Sequence, residues 1–306
     1  MQLIRGLPAV ADRPVALTVG NFDGVHRGHQ AMLARLAEAA EDLELVPAVL
    51  TFDPHPREFF ARDNAPPRLS TLRGKLDAFR QFGVGRVIVA RFDRSLASLD
   101  ADRFVDDVLV GRLGTRWLLV GEDFRFGRGR AGDLALLRRH ARTISVEAMH
   151  TVAVDDERAS SSAVREALAQ GDLARAERLL GRPFRMAGHV AHGEKLGRKL
   201  GFPTLNLPLK RTPPLSGIFA VRVHGLDGVR RGVASLGVRP TVAAEGRPML
   251  EVFVFDFDES VYGRRIVVEF RHKLRDEARY PNLDALTRQI RADADAARAY
   301  FAASAT

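Results

Sequence analysis

The chain contains no cysteine in 306 residues. That excludes disulfide bridges, thiolate metal sites and a cysteine nucleophile. Aromatic residues are few, 7% in all, with one tryptophan and three tyrosines. No apolar run approaches the roughly 20 residues a membrane span needs. The first stretch, MQLIRGLPAVADRPVALTV, is interrupted by Arg5, Asp12 and Arg13 before an apolar segment develops, so no secretory leader is expected. Internal repeats and low-complexity tracts are missing too. The remaining expectation is a globular protein of the cytoplasm.

What is present is ordinary in bulk: 46% hydrophobic and 28% charged residues. The length allows one large domain or two average ones. A net charge of +9, carried mainly by arginine, fits nucleic acid, membrane phosphates or small phosphorylated ligands. The arginines are scattered, with short clusters such as Arg138–Arg139 and Arg264–Arg265. There is no basic tail and no aromatic-interleaved basic motif. Most of this charge reads as solvated surface, and neither a nucleic-acid nor a membrane partner is expected.

The chain divides by pattern near Pro183. Before it, apolar β-rich runs (PVALTVG, LVPAVLTF, RVIVARF, RWLLVGEDF, SVEAMHTV) alternate with helical patterns such as TLRGKLDAFRQFG and DADRFVDDVLVGRLG. That alternation predicts an α/β domain with a parallel sheet and helices on both faces. Two helices, SSAVREALAQG and DLARAERLLG, lead to the boundary. After it, short strands of period two (GIFAVRVHGL, RRGVASLGV, LEVFVFDF, RRIVVEFRHKLR) predict a small antiparallel β-barrel. The helix NLDALTRQIRADADAARAYF closes the chain. The domains read as 1–182 and 183–306.

Thr18–Leu33, TVGNFDGVHRGHQAML, runs from a strand end through a glycine turn into a helix start. Unpaired backbone N–H groups and the positive helix end there favour an anion. Gly20, Gly24 and Gly28 permit close approach. His26 and His29, three residues apart, can present ring N–H donors to one ligand. The spacing lacks the glutamate of HExxH and a third nearby ligand, which argues against zinc. The turn fits a phosphate site for nucleotidyl transfer, and also a glycine turn with two helix-capping histidines. ASSSAVREAL, Ala159–Leu168, sets three hydroxyls (Ser160, Ser161, Ser162) before a helix with Arg165 in its first turns. One serine is explained by capping. Three with an arginine suit phosphate oxygens.

In this order, GNFDGVHRGHQ, LTFDPHP, VGEDFRFGRGRAGD and SSSAVREAL resemble the adenylyltransferase half of the prokaryotic bifunctional riboflavin kinase/FAD synthetase family. HVAHGEKLGRKLGFPTLNL, GVRPTV, LEVFVFDFDESVYGRRIVVEF and LRDEARYPNLDALTRQI resemble its riboflavin kinase half. The resemblance covers nearly the whole chain. It implies an N-terminal Rossmann-like nucleotidyltransferase domain and two direct reactions with Mg²⁺: phosphorylation of riboflavin by ATP to FMN, and adenylylation of FMN by a second ATP to FAD and pyrophosphate. The implied partners are riboflavin, FMN and ATP.

On that resemblance His26 and His29 fall on the catalytic, ATP-phosphate-binding HxGH histidines. Gly20, Asn21, Phe22 and Gly28 fall on the nucleotide-binding turn, and Ser161, Ser162 and Arg165 on a second phosphate signature. Asp123, Phe124 and Phe126 fall in the flavin region, although Phe126 also reads as core. In the kinase half Gly193, Gly197 and Gly201 fall on the loop over the phosphates. Thr204 and Asn206 fall on the ATP and Mg²⁺ positions, although a Pro-Thr pair beside a strand is also common turn chemistry. Glu251 falls on the catalytic base, and Arg275 stays unassigned. Ser235 stands where the family more often has asparagine, Tyr280 where it has phenylalanine, and Ser162 where it has threonine. Three other readings compete: a chain retaining one activity; a nucleic-acid-binding protein built on a basic barrel, which the dispersed arginines make a poor third; and an HxGH nucleotidyltransferase with another acceptor, which leaves the C-terminal half unexplained.

Overall fold

Strands that are apolar at every position must be covered on both faces. This is realised in the first half of the chain. The computed structural model describes residues 1–304 apart from 62–63, 141–142, 194–196, 198–199 and 239–247. It packs as two units, residues 1–66 with 70–160, and residues 67–69 with 161–306.

The first unit holds a six-stranded sheet of β1 (Gln2–Arg5), β2 (Val15–Val19), β3 (Val46–Asp53), β4 (Arg86–Arg91), β5 (Thr115–Gly121) and β6 (Ser145–Met149). The spatial order is β1-β4-β3-β2-β5-β6, and every pairing is parallel. Helices α1 (Arg27–Asp42), α2 (Pro56–Phe60) and α3 (Leu72–Gln81) precede β4; α4 (Arg94–Ala97), α5 (Ala101–Arg103) and α6 (Leu134–Arg139) come later. Alternation along β2 splits the core. Leu17 and Val19 join Leu50, Ile88, Leu118 and Leu109 on one face. Ala16 joins Val49, Val87, Leu33 and Leu36 on the other, beneath α1 and α3. The helix expected over DADRFVDDVLVGRLG is widened, with Phe104–Arg112 a π-helix directly after α5. Edge strand β1 was not expected, because QLIR is too short and exposed to read as an apolar run. A small hairpin, β7 (Ala153–Val154) and β8 (Glu157–Arg158), ends the unit.

In the second unit the two helices expected before Pro183, α7 (Ser161–Gln170) and α8 (Leu173–Leu180), pack on the barrel side. The barrel is formed by β9 (Arg185–His189), β10 (Thr204–Pro208), β11 (Gly217–Leu226), β12 (Gly228–Val238), β13 (Pro248–Val254) and β14 (Arg265–Arg275). Arg271 of β14 lies 3.7 Å from Glu177 of α8. The strand order is β10-β13-β12-β11-β14-β9, all antiparallel. A bridge from Ala191 to Asn206 nearly closes the ring. The C-terminal helix α9 (Leu283–Ala303) buries Ala294, Ala297 and Phe301 against Ala220 and Phe255.

Candidate functional site

Between β2 and α1 the backbone takes a conformation that sequence-local forces do not favour. Phe22 and Val25 both hold positive φ, 49° and 43°, beside Gly24 at 81°. Such strain persists only where the surroundings impose it. The Gly20 N–H bonds the Leu50 carbonyl at 3.0 Å. Asp23 accepts from both the N–H and the hydroxyl of Ser70, each at 3.1 Å, and that hydroxyl accepts from the Gly24 N–H at 3.0 Å. Gln30 reaches back to the Val25 carbonyl at 2.9 Å.

His26 occupies the N-cap position of α1 but makes no side-chain cap bond, so the helix-capping alternative fails for it. No acidic residue lies in the first turn of α1. The positive helix end therefore stays uncompensated by its own carboxylates. The imidazoles of His26 and His29 stack with centroids 3.7 Å apart, and Phe22 packs on His29 at 4.9 Å. Gly28 fits because a Cβ there would lie 3.2 Å from both the Ala159 carbonyl and the His26 ring. Burial, followed by the nearby His26 and then Lys75, pushes His29 well below its ordinary value of 6.5. It is a neutral ring at physiological pH. The Asn21 Oδ1 and His29 Nδ1 atoms are buried without a protein hydrogen bond. Polar atoms in that condition call for a partner.

The structure places the other predicted residues of this half as follows. Asp123 binds Arg158. Phe124 is half-buried and stacks on Phe126 at 5.4 Å. Phe126 is 6% exposed, wedged between Phe104 and Gly132, where a Cβ would come within 2.6 Å of its ring. It is a core ring that backs Phe124. Ser161 and Ser162 open α7, and Arg165 donates to the Pro67 carbonyl at 2.7 Å and the Ser161 carbonyl at 3.1 Å. Two features escaped the sequence reading. Phe52, Phe59, Phe60 and Phe92 form one aromatic cluster, with Phe60 69% exposed. Lys75 is buried beneath the turn and donates to the Asn21 carbonyl at 2.6 Å.

The barrel builds its site from register. Directly opposed residues share a face. Asn206 of β10 pairs with Glu251 of β13, Glu251 with Ser235 of β12, Ser235 with Ile218 of β11, and Ile218 with Arg275 of β14. All five line one cavity of about 240 Å³. Thr204, two residues from Asn206 and paired with Phe253, faces it as well, as strand alternation requires. Thr204 opens a strand, so the turn reading of the Pro-Thr pair gives way. Gly193 and Gly197 frame this pair. A Cβ on Gly193 would come within 2.5–2.8 Å of the Asn206 amide, and one on Gly197 would meet the Phe202 carbonyl and stand 3.5 Å from Thr204 Oγ. Gly201 holds a φ of 84° just ahead of them.

Phe202, Phe253, Leu286 and Ile290 add apolar lining to the same cavity. Arg275 binds Asp293 of α9 through two bonds of 2.8 and 2.6 Å, which hold the guanidinium above its ordinary value. Its side chain also lies 5.9 Å from the Tyr280 ring centre. Glu277 sits on Gly237 and accepts from Ser235 at 3.3 Å. Sequence offered no signal for the Arg275–Asp293 pair, since its members are 18 residues apart on different element types.

Gly193→Ala is expected to displace the Asn206 side chain from the cavity wall, a shift that a crystal structure of the variant would report.

A parallel α/β unit with an anion-ready helix mouth, joined to a barrel with a glycine-framed Thr/Asn/Glu cavity, defines a two-module transferase that handles phosphate esters. The family model for FAD synthetase matches residues 9–163, and that for riboflavin kinase matches residues 180–301. The chain is 50% identical to a bifunctional riboflavin kinase/FMN adenylyltransferase of Pseudomonas fluorescens over 100% of this chain and 99% of that one. It is 46% identical to the protein of the same description from Escherichia coli K12, over 98% of each. A crystal structure from Streptococcus pneumoniae, described as a macrolide-efflux protein, shares the fold with a TM-score of 0.84 at 26% identity, over 97% of this chain and 99% of that one. The chain belongs to the bifunctional riboflavin kinase/FMN adenylyltransferase family. It phosphorylates riboflavin with ATP to FMN and adenylylates FMN with ATP to FAD.

Proposed function

We propose that the two reactions are divided between the sites described, with adenylyl transfer assigned to residues 1–182 and phosphoryl transfer to residues 183–306. In the first, a phosphate oxygen of FMN attacks the α-phosphorus of ATP, the α–β bridge breaks, and pyrophosphate leaves. His26, His29, Gly20, Asn21, Phe22 and Gly28 hold the phosphates at the mouth of α1, where charge develops. The neutral His29 ring acts as an N–H donor. Ser161, Ser162 and Arg165 are assigned to phosphate oxygens on the chemistry of hydroxyls and a guanidinium at one helix start. Asp123 and Phe124 are assigned to the flavin, with Phe126 as backing and the exposed Phe60 as a further ring surface.

In the second, the 5′-hydroxyl of riboflavin attacks the γ-phosphorus, the β–γ bridge breaks, and ADP leaves. Glu251 takes the hydroxyl proton as general base. Thr204 and Asn206 bind ATP phosphate, with Gly193, Gly197 and Gly201 as the loop over it. The observation that carries this reading is the single register row that sets Asn206 beside Glu251 on the cavity face. Thr204 and Asn206 are neutral oxygen donors, and the two glycines leave open the space a side chain would fill, a set that fits a hard divalent ion keeping several waters. Mg²⁺ held there would neutralise phosphate charge. The apolar lining suits a flavin ring, and Arg275 lines the same cavity.

The proposed partners are small molecules alone, without nucleic acid or membrane, and the proposed compartment is the cytoplasm. No helix among the described residues is long and apolar enough to cross a membrane. The test is a time course of the purified chain with riboflavin, ATP and Mg²⁺, the flavins being separated by chromatography. FMN should rise and then give way to FAD, and both steps should stop when a chelator removes the metal. Turnover unaffected by the chelator would remove the metal assignment.

A further inference from the structure

The chemistry so far makes no use of Lys75. It lies on α3, whose apolar spacing calls for Leu72, Leu76 and Phe79 on the packed face. Yet Lys75 is 5% exposed. Its Nζ donates to the carbonyl of Asn21 at 2.6 Å, across 54 residues of chain. Thr51 Oγ reaches the same carbonyl only at 3.4 Å, so the ammonium is the closer anchor.

The carbonyl it holds is a particular one. It belongs to the peptide just before Phe22, the residue at a φ of 49°, and Phe22 is the ring that packs on His29. Gripping that carbonyl fixes the peptide plane, hence the strained turn, hence the pose of His29. A cation on the carbonyl side also polarises the peptide and strengthens its N–H as a donor. Charge buried here acts at low dielectric, where it counts for more than at the surface. Its field already reaches His29, helping to disfavour the protonated ring. The Asn21 side-chain oxygen and His29 Nδ1 are both buried without a protein hydrogen bond, and buried polar atoms of that kind call for a partner.

We propose that Lys75 is a positioning residue for adenylyl transfer: a buried cation that clamps the Asn21 carbonyl and lays positive charge beneath the turn receiving the triphosphate. The proposal rests on the assignment of the His26/His29 mouth as the adenylyl-transfer site. It requires that losing the charge, with the side-chain bulk kept, harms adenylyl transfer in the rate step and leaves the kinase module alone.

Lys75→Met keeps the length and the apolar stem. Its expected signature is a kcat for FMN adenylylation lowered about 30-fold or more, as for loss of a preorganised charge. Riboflavin phosphorylation should stay within about twofold, and the unfolding temperature within about 3 °C of the parent. A folded Lys75→Met with the parental kcat and KM for ATP overturns the proposal. So does a loss confined to KM, which would mean uniform binding rather than positioning for the transition state. If Lys75→Met does not fold, Lys75→Gln gives the same reading with a neutral donor in place. If neither folds, Lys75 is a structural residue and the proposal falls. His29→Ala separates the two failures: retained adenylyl transfer there removes the site assignment, whereas its loss beside an unaffected Lys75→Met removes only Lys75.

Discussion

His29→Ala should lose FAD formation while still making FMN. The ring stacks on His26, packs on Phe22, and stands at the start of a helix whose first turn carries no acid. Removing one preorganised donor from a site of developing charge costs roughly 10²–10³-fold in kcat. The expected chromatogram is riboflavin converted to FMN at the parental rate, with FMN then accumulating. The selectivity follows from construction. His29 is set by the β2–α1 turn of the parallel sheet, whereas Asn206 and Glu251 are set by pairing within the antiparallel one. A folded His29→Ala that loses both activities would sink the division of labour.

Glu251→Ala is the mirror image. FMN formation from riboflavin should fall by roughly 10²–10⁴-fold, the range of a general base. FAD should still form from supplied FMN. The truncation opens space in a cavity wall, so an unfolding curve accompanies the assay; Glu251→Gln, which keeps the bulk, should lose phosphorylation as well. Retained kinase activity in Glu251→Gln would remove the proton-accepting role. In that event catalysis would rest on positioning and charge neutralisation alone.

The two halves were legible in the sequence to different degrees. The parallel sheet announces itself because β2 to β5 each carry at least three consecutive apolar residues, which a doubly covered sheet accommodates. The barrel strands alternate, and their period shows which residues travel together: Thr204 with Asn206, but not with what lies across the sheet. The pairing of Glu251 with Asn206 was invisible because register is a long-range property, here set between positions 45 residues apart in sequence. Lys75 was illegible for a similar reason. A lysine on a helix reads as solvated, and nothing local says that a carbonyl 54 residues upstream waits for it. The π-helix of Phe104–Arg112 was likewise hidden, since periodicity over nine residues does not separate 3.6 from a wider turn. The short motifs were readable because each sits within one turn or one strand, where chemistry and spacing coincide.

The row from Asn206 to Arg275 has a consequence for how the barrel can change over time. Five side chains on five strands meet because pairing sets each opposite the next, with a register shift beside Ile218 that brings Arg275 into line. A single residue inserted into β13 beside Glu251 would turn the side chains beyond it to the opposite face unless a bulge absorbed it, as the β11–β14 ladder does. The loops are not under that constraint, since length added between strands leaves the phase intact. Apart from the glycine-bearing β9–β10 connection that frames the site, descent can therefore change loop length more readily than strand length, where each added residue needs a bulge to absorb it. The reading frame of the site is kept in the hydrogen bonds of the sheet.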